Sequence, residues 1–198
     1  MRDQSAYTQK QGFALLLEGP PLAGKTTLAF HFPDLYILDA DDKMANALSN
    51  HPGKQFKWDS AYRDDNNVPV APEKRWVHLL GCVMNAIKDP SIKTIVLDSA
   101  TTISDMLIEF ILAQPNSANT KGAMVVGGMK VMELMQWGPF KDYWKRLILN
   151  IRASGKDLIL ICHETVDKDE IDGSKTYRPA IPGQLRDTLA SLFTDVWH

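Results

Sequence analysis

The chain has 198 residues, 44% of them hydrophobic and 23% charged, a size that fits one domain with a substantial core and is short for two. Its net charge of −2 excludes a global basic field, so any contact with nucleic acid must come from local patches. The two cysteines, Cys82 in "LLGCVM" and Cys162 in "LILICHE", sit in apolar contexts and read as buried free thiols of a reducing compartment.

Segment 1–12 is polar and carries no apolar signal core, and no run is long enough to span a bilayer. The chain therefore reads as cytoplasmic, without a membrane partner. Apolar runs then predict strands at "FALLLE" (13–18), "LYILDA" (35–40), "TIVLD" (94–98) and "LILIC" (158–162), with a weaker one at "FTDVW" (193–197). Helical stretches lie between them at 25–31, 42–49, 73–88, 102–113 and 139–153. Fully apolar strands alternating with helices predict an α/β fold: a mostly parallel sheet covered on both faces, in one domain over 1–198.

Three stretches interrupt this alternation. Residues 50–72 are rich in turn formers, 114–130 carry three glycines, and 165–182 place "DG" between polar arms, which predicts a hairpin or a mobile loop. Loops of this length in an α/β domain are usually functional or disordered.

"GPPLAGKT" matches the phosphate-binding pattern GxxxxGK followed by Ser or Thr at every fixed position, between a predicted strand and a predicted helix. Gly19, Pro20, Pro21, Leu22, Ala23, Gly24, Lys25, Thr26 and Thr27 are thus the candidate cradle for the phosphates of ATP. The glycines let backbone N–H groups turn inward, and the following helix N-terminus favours an anion. Lys25 is expected to reach the β- and γ-phosphates and the Thr26 hydroxyl to ligate Mg²⁺. Asp98, at the end of a neighbouring strand, is the second candidate for the metal.

The residue after Asp98 is Ser99, so the water-activating acid must come from elsewhere. "YILDADDKM" ends a parallel strand in Asp39, Asp41 and Asp42, at the sheet edge where ligands bind in open α/β folds. Asp39 and Asp41 alternate to one side, and Asp41 is the candidate base.

With these residues in view, a resemblance becomes specific. "YILDAD", "TIVLDSATT" and "LILICHE", behind the phosphate loop, resemble the core of RecA/RadA-type P-loop ATPases, over most of 13–197. The resemblance implies a three-layer P-loop NTPase with a mostly parallel RecA-like sheet. It places Asp41 on the catalytic acid, where the family usually carries Glu, so the carboxylate arm is one methylene shorter. It places His163 or Glu164 on the γ-phosphate sensor, of which His163 is preferred because an imidazole donates to phosphate. The core-only architecture is most like the phage-type RecA-like single-strand annealing ATPases. That implies a DNA-stimulated hydrolase in a phage or bacterial host cytoplasm, acting in annealing or strand exchange. It also implies a homo-oligomer and, as a further partner, a single-strand DNA-binding protein.

Loops 114–130 and 165–182 occupy the positions of the family's two DNA-contacting loops. They supply Lys121 and Lys130, and then Lys168, Lys175, Tyr177 and Arg178, although Asp167, Asp169, Glu170 and Asp172 in the second oppose phosphate. In helix 139–153, Phe140, Tyr143, Trp144, Leu147, Ile148 and Ile151 form an apolar stripe. Lys141, Lys145 and Arg152 fall in a sector only about 40° wide beside it, with Lys156 joining if the helix continues. Such a ridge either follows a nucleic-acid backbone or is a solvated face. "QFKW" (55–58) and "YR" (62–63) are further aromatic–basic pairs, read as local packing. Two alternatives stay open: a P-loop small-molecule kinase, which needs no water-activating acid, and an ATP-gated interaction module with little hydrolysis.

Overall fold

The structure, a computed structural model, describes residues 12–114, 125–126, 129–170 and 172–198. The apolar runs form strands that are buried along almost their whole length: β1 (Ala14–Gly19), β2 (Leu35–Asp39) and, after the short edge strand β3 (Lys57–Ser60), β4 (Thr94–Asp98). Two short segments, β5 (Val125–Val126) and β6 (Met129–Lys130), pair with each other antiparallel. Then follow β7 (Asp157–Lys168), β8 (Lys175–Pro179) and β9 (Asp195–Trp197). The main sheet runs β3-β2-β4-β7-β1-β9, parallel throughout, with β8 attached antiparallel to β7.

Because strand side chains alternate, each run feeds two cores. Leu16, Leu38, Leu97 and Leu160 pack on one face against Trp76 and Leu79 of α3 (Arg75–Lys88), Ile103 and Leu107 of α4 (Ala100–Ala113), and Phe140 and Trp144 of α5 (Trp137–Ala153). Their neighbours Leu15, Ile37, Val96 and Ile159 face the other way, onto Ala29 of α1 (Lys25–Ala29) and Met44 of α2 (Met44–Asn50). Helices cover both faces of a mostly parallel sheet, which is the predicted three-layer α/β architecture. A last short helix, α6 (Leu185–Thr188), precedes β9.

Three elements depart from expectation. The stretch 50–72 contains β3, whose Lys57 and Trp58 are exposed, so the edge strand has no apolar run to announce it. The strand predicted over 158–162 continues to Lys168, because beyond the sheet it finds a new partner in β8. Its turn closes with Gly173 at φ +72 donating its N–H to the Asp169 carbonyl, 3.0 Å away, so the segment predicted as hairpin or loop is a hairpin. Finally, α1 spans five residues and stops short of the predicted 25–31.

The basic ridge predicted beside the α5 stripe is cut down by carbonyl partners. Arg152 donates to the Leu192 carbonyl at 2.8 Å. Lys156 lies beyond the end of α5 and donates to the carbonyls of Asp89 and Ile92, at 2.7 and 2.5 Å. Lys141 and Lys145 remain exposed, too few for a backbone-tracking ridge. The other aromatic–basic pairs are packing: Lys57 binds Asp89 at 2.6 Å, and Tyr62 lies under the Arg75 guanidinium. Both cysteines are free and buried, as read, and burial pushes each thiol up to about 12. Among the described residues no helix is long and apolar enough to cross a membrane.

Candidate nucleotide site

The parallel register gathers the site at one edge of the sheet. Asp39 pairs with Asp98 and Asp98 with Ile161, while Gly19 pairs with His163 two residues further along β7, so the ends of β1, β2 and β4 gather beside the middle of β7. Between them lies a cavity of about 350 Å³, lined by residues 21–27 of the phosphate loop, Asp39, Asp41, Lys43, Asp98, Ile161 and His163.

The loop is shaped to receive an anion. Gly24 turns into α1 at φ +82, which only glycine adopts without strain, and no atom lies near where its Cβ would stand. Lys25 folds back so that its ammonium donates to the carbonyls of Gly19 and Pro20, each at 2.7 Å. Burial lowers its pKa, with Asp98 and other acids acting in opposition. Such an ammonium gains by exchanging carbonyls for phosphate. The short α1 adds little dipole, so the loop N–H groups and Lys25 carry the attraction.

Thr26 and Asp98 fit a divalent metal. The Thr26 hydroxyl donates to Asp98 Oδ2 at 2.6 Å, so two hard oxygens converge beside the phosphate loop, the donor type that Mg²⁺ takes. Burial pushes the Asp98 carboxyl up to about 6, against the hydrogen bond from Thr26 that lowers it. Since only the carboxylate ligates, Mg²⁺-dependent nucleotide affinity is expected to fall as pH drops through about 6. Calorimetric titrations at about pH 5 and about pH 7.5 check this, and the pH step should shrink in Asp98→Asn to the part that comes from protonation of the nucleotide's own terminal phosphate.

The three acids at and after the end of β2 have separate duties. Asp39 is buried and accepts the N–H groups of Asp41, Lys43 and Met44, at 3.1, 3.2 and 2.8 Å, so it shapes the turn into α2. Asp42 is exposed at φ +55, within that turn. Asp41 points into the cavity and is held on both sides. Ser99, at 2.8 Å, and Thr102 donate to its Oδ1, and the Lys43 ammonium donates to Oδ2 at 2.9 Å. Burial raises its pKa, but the hydrogen bonds from Thr102, Lys43 and Ser99 outweigh burial and hold it at about 2. A carboxylate that weakly basic orients a water molecule better than it strips a proton from it.

His163 lines the cavity with Nε2 3.5 Å from Asp41 Oδ2, and its Nδ1 is buried without a hydrogen-bond partner. Glu164, one residue on, lies outside the cavity lining and is in register with Pro179 of β8. Sequence reading missed Lys43, Ser99 and Thr102. The signal was there for two of them, since "DSATT" places hydroxyls directly after Asp98.

The DNA candidates lie apart from this cavity. Lys168 and Lys175 face each other in register at the far end of the hairpin, with Tyr177 exposed two residues on. Arg178 is paired with Asp167 at 3.5 Å and Asp187 at 3.1 Å. Lys130 is exposed, its ammonium 3.5 Å from the Leu112 carbonyl, and Lys121 lies outside the described residues.

With this geometry in place, the model of the AAA domain matches residues 11–197. The chain belongs to the AAA domain family. As an AAA-domain protein it has a P-loop ATPase core, which agrees with its phosphate loop and its parallel sheet. Among solved structures it is similar to a KaiC-like protein from the hyperthermophilic archaeon Pyrococcus horikoshii OT3, at 12% identity over 85% of each chain and a TM-score of 0.42. No curated protein matches the AAA-domain chain.

Proposed function

We propose that this AAA-domain protein is a Mg²⁺- and ATP-dependent ATPase that binds single-stranded DNA and promotes annealing or strand exchange in recombination. It acts as a homo-oligomer in the cytoplasm of a phage-infected or bacterial cell, alongside a single-strand DNA-binding protein. The observation that carries the reading is the continuity of β7. One uninterrupted strand runs from His163, against the phosphate cavity, to Lys168 in the exposed hairpin. A nucleotide that moves His163 therefore pulls on the element that presents Lys168, Lys175 and Tyr177.

The cavity supports hydrolysis in particular. Lys25 would hold phosphate, and Thr26 and Asp98 would hold Mg²⁺, which would supply neutralisation of charge on the phosphoryl oxygens. Asp41 and His163 stand 3.5 Å apart in the cavity lining, where an attacking water is oriented. A kinase lid needs free arginines, and the hairpin's Arg178 is already bound to Asp167 and Asp187. The ATP-gated module draws on one observation, that both oxygens of Asp41 are engaged.

The test is ATP hydrolysis with Mg²⁺, alone and with single-stranded DNA, using Lys25→Ala as the blank, together with DNA binding over a salt series. Stimulation by DNA that the blank lacks supports the reading; turnover indifferent to DNA overturns it. The paired change Lys168→Ala and Lys175→Ala is expected to weaken DNA binding and to make the log–log salt slope shallower by about 1.4, roughly 0.7 per lost phosphate contact.

A further inference from the structure

The cavity holds two lysines in opposite conditions. Lys25 is buried and bound to loop carbonyls. Lys43 enters from the turn after β2; its side chain is 68% exposed, and its ammonium is 2.9 Å from Asp41 Oδ2. Asp41 itself is only 8% exposed, and its other oxygen is fixed by Ser99 and Thr102. One half of the ion pair is therefore clamped and the other is free to swing.

We propose that Lys43 reads the terminal phosphate, leaving Asp41 Oδ2 for the γ-phosphate of a bound nucleoside triphosphate and so releasing that oxygen to hold the attacking water. The inference rests on the cavity being the ATP site and is independent of DNA binding. A γ-phosphate carries more negative charge than a carboxylate, so an ammonium within reach of both goes to the phosphate. Moving it costs little, because an exposed lysine head stays hydrated along the way. A diphosphate lacks the group that draws Lys43 away, and Asp41 stays latched after the product forms. When Lys43 leaves, Ser99 and Thr102 keep the carboxylate in place, and His163, 3.5 Å from the same oxygen, completes the water's surroundings.

The experiment compares binding of the β,γ-imido analogue of ATP with binding of ADP, both with Mg²⁺, in the wild type, Lys43→Met and Lys43→Arg. Lys43→Met is expected to weaken the analogue by about tenfold or more, the scale of one charge-assisted contact, while ADP affinity moves by less than about twofold. Lys43→Arg should restore most of the preference for the analogue. Equal losses for the two nucleotides, or no loss for either, overturn the proposal and leave the ATP-site reading standing. Absence of wild-type binding to either nucleotide overturns both.

Discussion

Asp41→Asn is expected to slow ATP hydrolysis by about 10²–10³-fold while nucleotide binding survives. The asymmetry follows from which contacts the amide keeps. Its carbonyl still accepts from Ser99 and Thr102, so the turn after β2 holds its shape. What disappears is the charge on Oδ2, where Lys43 now sits and where the water is to be held. At about 2, the acid is ionised at every working pH, so its contribution is orientation and charge rather than early proton removal. Phosphoryl transfer through a loose transition state asks for little more than that. Steady-state turnover beside direct nucleotide binding reads both halves of the expectation. Unchanged turnover in the variant removes Asp41 from the mechanism and moves weight to the gated-module reading.

Features encoded in contiguous residues could be read from the chain; those assembled from distant segments could not. The central strands were legible because burial on both faces forces unbroken apolar runs such as "TIVLD" and "LILIC". The phosphate loop was legible because its chemistry lies within eight neighbouring residues. Strand β3 was hidden because, at the sheet edge, only Ser60 of its four residues is buried. The choice between a nucleic-acid track and a solvated face on α5 stayed open in the sequence because the partners of Arg152 and Lys156 are carbonyls 40 and 64 to 67 residues away, and a helical projection shows none of them. The Asp41 network is hidden for the same reason: it joins the turn after β2 to the start of α4, 58 and 61 residues later. Strand parity favours His163, since Ile161 and His163 alternate onto one face and both line the cavity.

Lys25→Ala is expected to lower nucleotide affinity by about 10²-fold or more and to abolish turnover, since it removes charged contacts worth about 1.5–3 kcal/mol each. The fold should survive the change. Lys25 is a buried cation whose partners are two loop carbonyls, and burial disfavours its charged form. Its lowered pKa means that charge at this position opposes folding at neutral pH, and the alanine relieves that cost against the loss of two hydrogen bonds to the loop carbonyls. Thermal unfolding separates the two effects. For the wild type, Mg²⁺-ATP at about a hundred times its Kd should add about 2.7 kcal/mol, a rise in Tm of about 5–10 °C for a chain of this size. Lys25→Ala should melt without nucleotide close to the wild-type temperature and show no rise when Mg²⁺-ATP is added. A ligand-induced shift that persists in the variant would mean that the phosphates bind elsewhere, and that the loop from Gly19 to Thr26 is a structural turn.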